Sequence, residues 1–76
     1  MNEKAQKGIQ HALKFLDELE AVYAEWNATW DDHKNPNREM LLHLLEGRIE
    51  SKQRTAPAEL HNLLYALGAV ERPMAQ

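Results

Sequence analysis

The side chains with chemistry to offer are four histidines (His11, His33, His43 and His61), one serine (Ser51) and twelve carboxylates. A divalent metal needs three or four His, Cys, Asp or Glu ligands converging on one point, often with two of them at i and i+4 on a helix face. No histidine here has a His, Asp or Glu at that spacing that would complete three ligands. Asp31, Asp32 and His33 are consecutive, and consecutive helix residues point apart. Nucleophilic catalysis has no better footing: there is no cysteine, no glycine-rich phosphate loop, and no base spaced to activate Ser51. Carboxylates along one helix are a charged surface before they are an acid–base pair. The expectation is therefore no enzyme, no catalytic residue, no metal and no cofactor, which leaves binding.

The element that dominates is a long amphipathic stretch. Ile9, Leu16, Tyr23 and Trp30 recur every seven residues, as do Ala5, Ala12, Leu19 and Trp26. That is the a/d seam of a coiled-coil-like helix, widened by Leu13, Phe15 and Val22. Asn2 supplies an N-cap with Glu3 in the first turn, and the helix is predicted to span 3–33. Asn35-Pro36 closes it, since the residue before proline avoids the helical region. A second helix is predicted over 36–53, with Asn35 as N-cap and Pro36 at its first position. Its apolar residues, Met40, Leu41, Leu42, Leu44, Leu45 and Ile49, cover about 200° of the wheel, and Gly47 is a candidate break. Thr55-Ala56-Pro57 is the next boundary. A short third helix over 57–68 carries Leu60, Leu63, Leu64 and Leu67 and stops at Gly68. Residues 73–76 read as a loose tail.

These elements predict one small all-α domain over 1–76, with the long helix packed antiparallel on the second and the third helix beside them. At 76 residues without cysteine, such a domain has too little core to stand easily alone and needs support from oligomerisation. A short turn near residue 34 pairs positions whose numbers sum to about 68. Helix two then runs out opposite Leu16, leaving Ile9, Leu13 and Leu16 uncovered. They are the candidate homodimer interface of a helical bundle.

Charge is uneven. Residues 15–33 hold six carboxylates and no Lys or Arg, whereas 34–54 hold five cations against three. Two segments that face one another explain this first, with Arg48 opposite Glu20 and Lys52 opposite Asp17 as interhelical ion pairs. The acidic side of helix one, including Glu18, Glu25, Asp31 and Asp32, is the candidate surface for a basic partner. Trp26 and Trp30 near the hairpin tip, and Tyr65 opposite the leucine face of helix three, are candidate contacts, because such side chains anchor interfaces.

No apolar run reaches the roughly 18–20 residues of a membrane span, and the N-terminus lacks the apolar core of a signal peptide. A soluble cytoplasmic protein is expected. The function read from these residues is non-enzymatic binding of another protein, as an inhibitor, anti-activator or adaptor. Bacterial regulators and phage-encoded antagonists of host systems offer the analogy. The alternative is a dimeric helix-turn-helix regulator binding DNA through helices two and three. Residues 58–68 offer no Lys or Arg, and phosphate neutralisation supplies much of DNA affinity, so nucleic acid is disfavoured.

Overall fold

The computed structural model describes residues 2–73. Two helices of equal length form an antiparallel hairpin: α1, Glu3–Asp31, and α2, Arg38–Ala66. Each has 29 residues, about 43 Å at 1.5 Å per residue. The hairpin measures 50 × 22 × 12 Å. Its smallest dimension is one helix diameter, so every residue lies near a surface.

α1 begins as the sequence predicts. The Asn2 side chain accepts a hydrogen bond from the Ala5 amide at 2.7 Å, satisfying one of the unbonded N–H groups of the first turn. Its end falls at Asp31, two residues short of the predicted boundary, and Asp32 has left helical geometry. The connection then folds as a turn centred on Pro36. Arg38 N–H donates to Asn35 C=O at 3.1 Å, and Asn37 N–H donates to the Asn35 side chain at 2.9 Å. Proline fits the second position of such a turn, and asparagine the first. Pro36 therefore stands in the turn rather than in the first turn of α2. Arg38 locks the corner, donating from Nε and Nη2 to the Trp30 carbonyl at 3.0 and 2.9 Å.

The boundary expected at Thr55–Pro57 is absent, and Gly47, inside the predicted second helix, does not break it. α2 runs through Gly47 and through Pro57, so helices two and three are a single helix. Proline inside a helix removes a hydrogen bond and costs about 3 kcal/mol. Here the ring sits on the exposed side of α2, and Thr55 Oγ1 donates to the Lys52 carbonyl one turn upstream at 3.0 Å. Continuity is held by packing: Leu42, Leu45, Ile49, Lys52, Ala56, Glu59, Leu63 and Ala66 form one three-four repeat of half-buried or buried positions. With no turn between Thr55 and Ala58, the geometry of a helix-turn-helix is missing. The C-terminal stop is as predicted. Gly68 takes φ 82°, and Ala69 N–H returns to the Leu64 carbonyl at 2.8 Å, a left-handed glycine termination. Of the predicted tail, residues 74–76 lie outside the described residues.

Because α2 reaches Ala66, it covers the open end of α1 that a shorter second helix would leave bare. Ala5 there is 6% exposed. A Cβ at Gly8 would collide with the Cβ of Ala66, so glycine is what lets the helices approach so closely. We expect Gly8→Val to splay this end at a cost of about 1–3 kcal/mol. Thermal denaturation measures the loss, and an unchanged melting temperature would show that the open end is not closely packed.

Candidate functional site: two unlike faces of one hairpin

The α1 positions that meet α2 are 5, 8, 12, 15, 19, 22, 26 and 29, all half-buried or buried. The predicted seam shared the 5-12-19-26 line but took 9-16-23-30 as its second line. In the structure that second line lies one position round the helix, at the edge of the contact. Leu13, Leu16, Tyr23 and Trp30 are all exposed, as are Leu60 and Leu67 of α2. They fall on one face of the hairpin. Gln53 Nε2 donates to the Tyr23 hydroxyl at 2.9 Å, and Trp26 Nε1 to Glu46 at 3.3 Å. Leu16 and Leu60 line one groove there. Leu16 with Leu60 and Tyr23 with Gln53 mark two rungs of this face, and the same seven-residue step puts Ile9 level with Leu67 and Trp30 level with Glu46.

The opposite face holds the charges. Lys52 Nζ lies 2.5 Å from Glu18 Oε2, Arg48 lies 3.5 Å from Glu25, and His11 Nε2 lies 2.9 Å from Glu59 Oε2. The interhelical pairing expected of Arg48 and Lys52 is present with shifted partners. Arg48 reaches Glu25 instead of Glu20, and Lys52 reaches Glu18 instead of Asp17, because the turn is wider and α2 starts later. Glu59 sits in the seam with its carboxylate largely buried. Its Oε2 makes no hydrogen bond of good geometry, so the His11 ring is its polar neighbour.

Lys52 holds the Glu18 carboxyl below its ordinary pKa, first by a hydrogen bond and then by its charge. A carboxylate with a lowered folded-state pKa contributes stability above its unfolded pKa and loses it as pH falls through the folded value. Stability should therefore drop on acidification below the ordinary glutamate pKa of about 4.5. Lys52→Met should flatten that part of the profile, as urea denaturation at several pH values measures. An unchanged profile would show that the pair does not form in solution. The effect is small because the pair is solvent-exposed.

The candidate binding residues do not form one site. Trp26 and Trp30 stack at the turn with ring centroids 5.3 Å apart, and the Arg38 guanidinium lies 4.6 Å above the Trp30 ring. Trp30 is thus part of a structural corner with one edge exposed. Tyr65 stands at the far end, half-buried beneath Lys4 Nζ at 3.6 Å, which departs from the free position expected of it. Glu18 and Glu25 are engaged with α2 across the middle. Asp31 and Asp32 remain exposed at the turn. Ile9, Leu13 and Leu16 do lie together, joined by Leu60 and Leu67.

A second apolar area lies off this face. Met40 and Leu44, each 57% exposed, belong to the apolar arc of about 200° on helix two and do not face α1. Leu44 instead borders a groove of about 570 Å³ on the charged face with Ala28, Leu41, Leu45, Glu25 and Arg48. The 200° width of that stripe was its signal, since one neighbour cannot cover so wide an arc.

Among the described residues no three His, Cys, Asp or Glu side chains cluster as a metal site would require, and no helix is long and apolar enough to cross a membrane. No protein-family model, curated protein or solved structure matches the chain.

Proposed function

We propose that this chain is a non-enzymatic protein that acts by binding another protein, as an inhibitor, anti-activator or adaptor, and that it works as a homodimer in the cytoplasm. The observation that carries this reading is the mismatch between apolar side chains and core. Ala5, Leu42 and Leu45 are the buried hydrophobic residues among those described, while eight large hydrophobic side chains are exposed. Six of the eight lie on the apolar face, and Met40 and Leu44 lie off it. Contiguous exposed apolar surface of this kind marks association.

The two areas suit different occupants. The apolar face is long and regular, as a bundle interface is. The Leu41–Leu44 groove is shorter and rimmed by Glu25 and Arg48, with Asp31 and Asp32 following at the turn. It suits an amphipathic segment of another protein with apolar anchors and basic flanks. Immobilised protein should capture its partner from lysate, and Leu44→Asp should lose that partner while light scattering still reports a dimer. Capture by Leu44→Asp at the wild-type level would remove the groove from the reading. A wild-type mass of one chain at micromolar concentration would remove the homodimer.

A further inference from the structure

We infer that two copies join apolar face to apolar face with their rods parallel, both turns at the same end, in a four-helix bundle where α1 of each packs on α2 of the other. The proposal rests on the homodimer put forward above and fixes its geometry. Area supplies the first reason. A compact monomer of 8.8 kDa exposes about 4,800 Å², whereas this hairpin exposes 5941 Å², about 1,100 Å² more. A stable interface takes about 800 Å² from each partner, so a second copy covering the whole face accounts for the excess.

Charge and polarity choose the orientation. A two-fold axis along the rods sets each rung on its own kind. Leu16 meets the second copy's Leu60, Ile9 its Leu67, Tyr23 its Gln53, and Trp30 its Glu46. On the outer edge of the same seam, Leu13 meets Leu64, Glu20 meets Pro57, and Asn27 meets Glu50 of the second copy. No carboxylate faces a carboxylate or a leucine. A two-fold axis across the rods at full overlap does both: it sets Glu20 against its own copy, and Glu46 and Gln53 against Leu67 and Leu60. The Glu20 pair is then a like-charge juxtaposition, which is repulsive at an interface, and Glu46 and Gln53, each bonded within its own hairpin, are dried against leucine. Overlap of the leucine ends alone avoids this but leaves Tyr23 and Trp30 bare and covers about half the face. The parallel arrangement also turns the two Leu44 grooves outward on opposite sides, giving the dimer two equivalent partner sites.

Cysteine cross-linking tests it, because the chain has no cysteine of its own and a disulfide needs Cα atoms within about 7 Å. Leu13→Cys/Leu64→Cys should oxidise to a covalent dimer. So should Asn27→Cys/Glu50→Cys, whose positions are exposed and leave folding undisturbed. Within one copy each pair sits on opposite edges of the hairpin and cannot close. Self-cross-linking of Glu20→Cys would establish the crossed full overlap instead, and that of Leu13→Cys alone the end overlap; either overturns the proposal. Light scattering on the unmodified protein separates the two levels. A dimer with the wrong cross-links rejects this orientation alone, and a monomer rejects the homodimer as well.

Discussion

Leu16→Asp is expected to dissociate the protein and unfold much of it. Leu16 is 49% exposed in a single hairpin, so a carboxylate there costs an isolated copy little. Within the proposed bundle the same carboxylate would lie against Leu60 of the second copy with no counter-charge. A buried, unpaired charge costs several kcal/mol, and about 4 kcal/mol weakens association roughly a thousandfold. A two-helix hairpin of this size has little stability of its own, so dissociation brings unfolding with it. The signature is a loss of dimer mass by light scattering, together with loss of helical circular dichroism at concentrations where wild type stays folded. Leu16→Asp with wild-type mass and melting would place the apolar face in solvent and end the bundle reading.

Leu45→Ala should be nearly as damaging, by another route. Leu45 is 6% exposed and Leu42 is 7% exposed, and both face α1 at the turn half of the hairpin. Truncating a buried leucine costs about 2–5 kcal/mol, depending on how far the site collapses. In a core with so few buried residues there is little left to absorb that loss. Leu44→Ala is the matched control. It lies one residue away but is 57% exposed, and exposed substitutions stay within about 0.5 kcal/mol. Urea denaturation of the two variants side by side reads the difference. Equal midpoints would mean that α2 is rotated from the orientation described.

That contrast shows where sequence reading succeeds and where it stops. Met40 to Leu45 is one apolar run in the sequence, and nothing in its composition separates Leu45 from Leu44. Which leucine is buried depends on the rotation of α2 against α1. The same holds on α1, where two apolar lines share Ala5, Ala12, Leu19 and Trp26. Periodicity finds the stripe but does not choose between 8-15-22-29 and 9-16-23-30 as the half that meets α2. Since the choice went to the former, Leu16 and Trp30 are edge residues.

By itself, then, the sequence determined the local chemistry: the Asn2 cap, the stop at Gly68, the heptad rise of α1, a short turn near residue 34, the fold-back, and the cross-strap of Arg48 and Lys52 to carboxylates of α1. Each depends on neighbours a few residues away or on charges that must find one another. Tertiary structure alone decided that α2 passes through Gly47 and Pro57, that Gly8 closes on Ala66, and that the interhelical ion pairs and the Leu16–Leu60 groove lie on opposite sides of the hairpin. The reason is physical. A proline in a helix is a local penalty of about 3 kcal/mol, and the packing of Ala56, Glu59, Leu63 and Ala66 against α1 offsets it, but that packing exists only once both helices are placed.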